Sequence, residues 1–171
     1  HSNGLTLARH AFFERNNYKI SHHFSDLTTD LGTELLRPTH IYVREAMELI
    51  EKINSLKALV HITSDGFLNL TRTPSEVGYM IDALPETPPI FKIIQKLAEA
   101  EDKEMYSVFN MGIGFCAVVG AEDVEAARSI LENGFSKFRT HVIGHVTNDA
   151  GGHVSIPQAG LKGQGKHFWK T

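Results

Sequence analysis

The sequence lacks several features that would place it in a specialised class of protein. It has a single cysteine, Cys116, which excludes an internal disulfide and predicts a buried thiol because the surrounding run is apolar. No stretch approaches the roughly 20 consecutive apolar residues that a helix needs to cross a bilayer. Charges of both signs are spread along the chain without a basic block, at a formal net charge of -3. Nucleic acid and membrane surfaces are therefore not expected partners.

The remaining composition is that of an ordinary globular domain. With 171 residues, of which 42% are apolar and 22% are charged, the chain is long enough for one substantial core. We find no repeat, linker or domain boundary, so we expect a single domain over residues 1–171. The lone thiol favours a reducing compartment, and we expect the cytoplasm.

The first four residues form a polar turn that leads directly into an apolar helical pattern. His1, Ser2, Asn3 and Gly4 are followed by apolar residues at helical spacing. A globular domain rarely begins with such a turn unless something upstream holds it. We therefore expect this chain to be the second part of a longer polypeptide that works with a missing partner domain.

Apolar periodicity and chain breakers predict helices and strands that alternate irregularly. We predict helices over about residues 4–15, 31–36, 42–53, 90–101, 103–109 and 122–133, and strands over about 56–63, 78–83, 111–119, 140–146 and 153–156. Ser2 or Asn3 is the expected cap of the first helix. Such irregular alternation favours a mixed sheet covered by helices.

Three of these elements carry more specific expectations. In the helix over about 42–53, Val43, Ala46, Met47 and Ile50 fall on one apolar stripe. The strand over about 56–63 shows no alternation, which suggests burial on both faces. Residues 69–76 are predicted to form an ordered polar loop.

Several matches to known motifs do not carry chemistry. The glycines from Gly160 onward imitate a phosphate loop, but His167 stands where Ser or Thr must bind magnesium. Gly112 and Gly114 imitate a dinucleotide fingerprint, yet they fall within a predicted strand. Histidine pairs without Cys or a supporting shell are weak metal evidence. We therefore assign no metal site, no nucleophile and no catalytic residue.

The opening turn is one candidate binding element. An imidazole, two small polar side chains and a helix N-terminus together can bind an anion without a lysine, which points to phosphate or a phosphorylated substrate. The alternative is a plain helix cap, which composition alone favours.

Two further segments place polar groups at the ends of strands. Thr63, Ser64, Asp65 and Gly66 follow a buried strand, where loops commonly contact ligands, although alone they form an ordinary turn. Asn110 precedes a glycine-punctuated segment, where it either satisfies the local backbone or reaches a ligand.

Read in order, the segments resemble a known family over about residues 1–146. The matching pieces are His1-Ser2-Asn3-Gly4, Leu35 to Val43, His61-Ile62-Thr63, Pro88 to Phe91, Glu104-Met105-Tyr106, Phe109 to Gly114 and Val142-Ile143-Gly144. Their joint spacing is similar to the C-terminal half of the aminoimidazole ribonucleotide synthetases, the phosphoribosylformylglycinamidine cyclo-ligases of purine biosynthesis, within the AIR synthase-related superfamily.

This resemblance implies a fold and a partner domain. The fold is α+β, a three-layer α/β/α sandwich with a mixed sheet that is partly ferredoxin-like. An N-terminal domain absent from this chain supplies most contacts to ATP and Mg2+ and the main interface of a homodimer. No cofactor is expected in this chain, which alone is expected to be inactive.

The resemblance also implies a reaction. ATP activates the formyl oxygen of formylglycinamidine ribonucleotide as a phosphate ester, a nitrogen then attacks that carbon, and phosphate leaves to give aminoimidazole ribonucleotide. Such chemistry depends on positioning and charge stabilisation, so it does not require a nucleophile. By motif position, His1, Ser2, Asn3 and Gly4 contact substrate or phosphate, and the loop from Thr63 to Gly66 approaches it.

The loop departs from the commonest family pattern. Three consecutive glycines usually follow the His-Ile-Thr motif, but here the residues are Ser64, Asp65 and Gly66. A carboxylate repels phosphate unless a cation or a ring amine intervenes. The alternative function is therefore a non-catalytic ligand-binding or assembly module of the same superfamily, in which this loop has drifted.

Overall fold

A computed structural model describes residues 3–136 and 138–171 of the chain. The helices are α1 (Leu5–Arg9), α2 (Leu31–Leu35), α3 (Val43–Lys52), α4 (Pro89–Ala98), α5 (Asp102–Val108) and α6 (Val124–Asn133). The strands are β1 (Ala58–His61), β2 (Gly78–Met80), β3 (Phe115–Val118), β4 (His145–Thr147), β5 (Val154–Ile156), β6 (Leu161–Gln164) and β7 (His167–Lys170). A π-helix, His10–Arg15, continues α1, and a 3-10 helix spans Gly66–Arg72. No helix within the described ranges is long and apolar enough to cross a membrane.

The described strands form two sheets. β1 pairs antiparallel with β3, and a five-stranded sheet has the order β4-β2-β5-β6-β7. In the larger sheet β2 and β5 are parallel, and the other pairs are antiparallel. The expected α+β class with a mixed sheet is therefore confirmed, with the strands divided between two sheets.

Three apolar clusters hold these elements together. The first joins the two sheets to the 3-10 helix and includes the fully buried Phe67, whose burial contributes about 1.5–3 kcal/mol. The second packs α1, α2, α4 and α5 around Phe12 and Met105. The third places α3 and α6 against β1 and β3 through Leu49 and Ala127. The 3-10 helix thus lies where the sheets meet, and its first residue ends the loop predicted to contact a ligand.

Most predicted helices are present, with bounds that differ by a few residues. The cap prediction for the first helix is wrong for Asn3, because Gly4 occupies the N-cap position in a left-handed conformation and no side chain of the described residues caps the helix. The prediction for Ser2 lies outside the described residues. Asp30, not singled out from sequence, caps α2 by accepting a hydrogen bond from the Thr33 N–H.

Several strand predictions are wrong in extent or environment. β1 is shorter than expected and is not buried on both faces, because its residues are partly buried or exposed. The strand predicted over about 111–119 begins only at Phe115, since Met111 and Gly112 form a turn with positive φ angles of 51° and 101°. Of the segment predicted over about 140–146, only the end is a strand. Residues 69–72 belong to a largely buried 3-10 helix, and the tail forms a hairpin that the sequence did not predict.

The apolar stripe predicted on α3 faces solvent. The exposed fractions of Val43, Met47 and Ile50 are 66%, 50% and 55%, whereas Glu45 and Leu49 are the buried residues of this helix. The stripe therefore does not build the core of the chain.

Cys116 lies on β3 as the buried thiol expected from sequence, and burial raises its pKa to about 12. Because the thiolate is the reactive species, we expect a maleimide at pH 8 to label the folded chain about a thousandfold more slowly than an ordinary exposed cysteine. The same chain in denaturant is the control and should label at the ordinary rate. Equal rates in both states would contradict the burial.

Candidate functional site

The loop after β1 is held in place by a buried asparagine. Asn69 is 2% exposed, and its Oδ1 accepts hydrogen bonds from the Thr63 N–H at 2.8 Å and the Thr63 hydroxyl at 3.1 Å. Its Nδ2 donates to the carbonyl of Ser64 at 2.7 Å. One side chain thus satisfies three polar groups of the loop, which fixes the loop conformation without a regular strand or helix.

Close packing against α5 fixes the end of this loop. Gly66 is buried with a φ of 54°, and a Cβ atom added there would lie 2.0 Å from the carbonyl oxygen of Tyr106. The Asp65 N–H donates to the carbonyl of Ser107 at 3.0 Å. Only glycine provides both the left-handed backbone and the space for this contact.

Asp65 has a left-handed backbone and a cationic partner. Its φ is 72°, a conformation that glycine adopts more readily than aspartate. Its carboxylate accepts a hydrogen bond from the Arg72 guanidinium at 2.8 Å. Arg72 is therefore the cation that offsets the negative charge introduced where the family pattern has glycine.

Asp65→Gly is expected to leave the free energy of unfolding unchanged or to raise it by up to about 1 kcal/mol. Glycine avoids the roughly 1 kcal/mol cost of left-handed backbone, whereas an exposed ion pair contributes only about 0–1 kcal/mol. Urea unfolding measures the change. Arg72→Ala removes the same ion pair but keeps the left-handed backbone of Asp65. It should lower the free energy of unfolding by no more than about 1 kcal/mol. A loss above about 2 kcal/mol in Asp65→Gly would contradict this explanation.

The structure brings the opening turn and the loop after β1 together. The Ser64 hydroxyl donates to Oδ1 of Asn3 at 2.8 Å. Gly4, with a φ of 79°, lies against the ring of Phe109, where an added Cβ would be 2.1 Å from the nearest ring atom. Phe109 directly follows α5, so both segments meet at the C-terminal end of this helix. His1 and Ser2, predicted to belong to the same site, lie outside the described residues.

Asn110 lies at the same end of α5 and serves a local role. Its Oδ1 accepts a hydrogen bond from the Gly112 N–H at 3.0 Å, which stabilises the turn at Met111. The sequence left two roles open for Asn110, a partner of the local backbone or a ligand contact. Its contacts within the described residues are those of a partner of the local backbone. This turn also brings Gly112 against the ring of Pro88.

The predicted site residues thus form a polar surface at one end of α5. Ser64 is exposed, and Asn3, Thr63, Asp65 and Asn110 are partly buried. Hydroxyl and amide groups predominate, and the one carboxylate is paired. Such a surface can donate hydrogen bonds to an anion without strong repulsion. The buried Asn69 supports this surface from beneath, and Arg72 pairs with Asp65 on it. Neither was predicted as a site residue, because both fall in a run interpreted as a polar loop.

A large cleft lies elsewhere, between β3, α6 and the segment that leads into β4. Its volume is about 1230 Å³, and its walls are mainly apolar. It contains none of Asn3, residues 63–66 or Asn110, although it includes Met111 and Gly112. At its edge the Tyr42 ring stacks on Phe115 with centroids 4.8 Å apart, and burial raises the pKa of Tyr42 to about 12. Tyr42 therefore remains protonated at physiological pH.

A metal centre is not formed by the described side chains. No group of three or more His, Cys, Asp or Glu residues in residues 3–136 and 138–171 could hold an ion. His22, which is next to His23 in the sequence and belongs to one of the histidine pairs considered as metal ligands, packs against the rings of Tyr18 and Phe24. The glycine run that imitates a phosphate loop forms the β6–β7 hairpin, so the structure provides no following helix for a phosphate.

Comparison with known proteins gives one consistent result. Residues 1–157 match the family model described as AIR synthase related protein, C-terminal domain. A phosphoribosylformylglycinamidine cyclo-ligase of Methanothermobacter thermautotrophicus is 47% identical over 156 residues, which cover 91% of this chain and 44% of that protein. The protein of the same name from Methanocaldococcus jannaschii is 41% identical over 171 residues, covering 98% of this chain and 48% of the relative. A protein of the same name from Methanococcus maripaludis is 50% identical over 125 residues, which cover 73% of this chain and 35% of that relative. The chain thus spans half or less of the length of these relatives.

Proposed function

We propose, since this chain belongs to the AIR synthase related protein family and matches its C-terminal domain, that it is the C-terminal half of a phosphoribosylformylglycinamidine cyclo-ligase. The proposed reaction is the ATP-dependent closure of formylglycinamidine ribonucleotide to aminoimidazole ribonucleotide in purine biosynthesis. The identity of 47% over 91% of the chain to a relative of that name is the observation that carries the proposal.

The other half of the proposed enzyme is an ATP-binding domain that precedes this chain. The relatives are about twice as long as the matched region, which leaves room for such a domain. We assign no magnesium ligand to this chain, because its described residues form no cluster suited to a metal ion. ATP, when bound by the other half with Mg2+, supplies the phosphoryl group that activates the formyl oxygen. We also propose a cytoplasmic homodimer as the working enzyme.

The proposed role of this chain is to hold the phosphorylated substrate. The Ser64 hydroxyl donates to Oδ1 of Asn3 at 2.8 Å, so the two side chains are close enough to bind one anionic group once the hydroxyl turns its proton from Asn3 toward that group. Thr63 and Ser64 are held in position by Asn69, so the loop needs no rearrangement to bind. Arg72 neutralises Asp65 and thereby lowers the repulsion of phosphate. This chain therefore contributes orientation and charge balance to the reaction.

The direct test is ATP-dependent formation of aminoimidazole ribonucleotide by the full-length protein that contains this chain. We expect turnover with formylglycinamidine ribonucleotide and none when ATP is omitted. A folded full-length protein that binds ATP but gives no product would contradict the proposal. A chimera that joins this chain to the N-terminal half of the Methanothermobacter relative provides a second version of the test.

The presence of Asp65 in the loop favours one other candidate, a non-catalytic ligand-binding or assembly module. Substitution of Asn3 and Asp65 separates the two functions. In a cyclo-ligase, Asn3→Ala should weaken substrate binding and turnover together, whereas Asp65→Gly should preserve both. In a module, neither variant should show coupled losses, because turnover is absent from the start.

A further inference from the structure

Helix α3 carries an apolar face that the chain itself does not cover. Val43, Met47 and Ile50 are each at least half exposed and follow one another at helical spacing; we refer to them as the α3 stripe. Ile41, just before the helix, is 76% exposed. Scattered apolar side chains are normal on a surface, but a stripe along one helix is typical of a buried contact.

The stripe lies on the flank of α3 that faces away from α6. On the flank opposite the stripe, Glu48 and Lys52 line a cavity with the last residues of α6. At 100° per residue, positions 43, 47 and 50 are centred about 150° from positions 48 and 52. Arg44 lies between the two flanks, and its guanidinium is 4.1 Å from the centre of the Phe135 ring, just beyond α6. The stripe is therefore turned away from α6.

The stripe begins close to the candidate site. Tyr42, the residue before the stripe, lies with its ring centre 5.8 Å from that of His61 at the end of β1. Three residues after His61, Ser64 bonds to Asn3 at the start of the chain. A domain joined to the N-terminus of this chain would therefore enter beside the site and within reach of the stripe.

We propose that the α3 stripe is the docking surface for the ATP-binding half of the enzyme, which thereby becomes the opposite wall of the substrate cleft. This inference rests on the proposed function, in which that half precedes His1. The size of the surface favours a tethered partner. A patch of this kind is on the order of 300–600 Å², below the roughly 800 Å² that each partner buries in a standard stable interface. A covalent tether raises the effective concentration to about the millimolar range, where a small apolar surface suffices.

Photo-crosslinking in the full-length protein tests the proposal. Met47→p-benzoylphenylalanine places the crosslinker in the stripe, and Lys52→p-benzoylphenylalanine places it on the opposite flank of the same helix as a matched control. After irradiation, mass spectrometry identifies the crosslinked peptides. We expect crosslinks from position 47 to peptides of the N-terminal half in the same polypeptide. The variant with the crosslinker at position 52 should give no crosslinks to those peptides.

Two outcomes would overturn the proposal. Crosslinks from position 47 to α3 of a second copy would identify the stripe as a dimer contact, and no crosslink above the control would show that nothing covers it. Neither readout depends on turnover, so the two proposals can fail separately. An inactive protein with the expected crosslinks contradicts the cyclo-ligase function alone, and an active protein without them contradicts the docking surface alone.

Discussion

Gly66→Ala is expected to lower the free energy of unfolding by about 3 kcal/mol, from overpacking and left-handed strain together. The added methyl group would lie 2.0 Å from the backbone oxygen of Tyr106, and α5 cannot move away without disturbing the second core cluster. Urea or thermal unfolding of the chain measures the loss. In the full-length protein, the displaced loop should also weaken substrate binding.

Gly160→Ala is the matched control for this prediction. Its φ is 60°, close to the 54° of Gly66, but no atom of the residues that the structure describes lies within 4 Å of an added Cβ. This variant should cost only the roughly 1 kcal/mol of left-handed strain. Equal losses in the two variants would contradict the proposed contact between Gly66 and α5, because strain alone would then explain both.

Asn69→Ala is expected to lower the free energy of unfolding by about 3 kcal/mol, because each buried polar group left without a partner costs about 1–3 kcal/mol. The substitution removes the acceptor for the Thr63 N–H and hydroxyl and the donor to the Ser64 carbonyl. The loop should also lose its fixed conformation, which faster amide hydrogen exchange at Thr63 would detect. Unfolding titrations and exchange thus give independent readouts.

Asn148→Ala tests whether the loss is specific to the buried position. Asn148 is exposed, and a surface substitution changes stability by within about 0.5 kcal/mol. If Asn69→Ala were no more damaging than Asn148→Ala, and exchange at Thr63 were unchanged, Asn69 would not hold the loop.

The sequence predicted helices better than strands, for a physical reason. Pro89 at the start of α4 and Gly134 after α6 mark helix ends through backbone geometry that is local to those residues. Strands depend on partners that are distant in sequence. Phe115 pairs with His61, and β2 lies between β4 and β5, so their extents follow from tertiary pairing that no local pattern contains.

Apolar periodicity alone does not identify the buried face of α3. Val43, Met47 and Ile50 form a clear apolar stripe, yet the core is built by Leu49 and Glu45. Glu45 is buried because its carboxylate accepts a hydrogen bond from the Ser136 N–H at 2.6 Å, a contact 91 residues away in sequence. A pattern of apolar spacing cannot distinguish a stripe that packs on the core from one that packs on a partner.

The candidate site was predictable only in part. Motif resemblance singled out Asn3 and Ser64 without indicating that they touch. Asn69 and Arg72 were missed as site residues because their roles depend on a 3-10 helix that folds back on the preceding loop. Polar residues in such a helix look like an ordinary loop until the fold shows which of them are buried.

Substrate kinetics of four full-length proteins test the central claim most directly: wild type, Asn3→Ala, Ser64→Ala and the double variant, with Asn148→Ala as control. If Asn3 and Ser64 hold one anionic group of the nucleotide together, each single variant should lose roughly tenfold or more in kcat/KM. The double variant should lose less than the product of the two, since the residues act as a unit. Wild-type kcat/KM in all three variants would show that the nucleotide binds elsewhere.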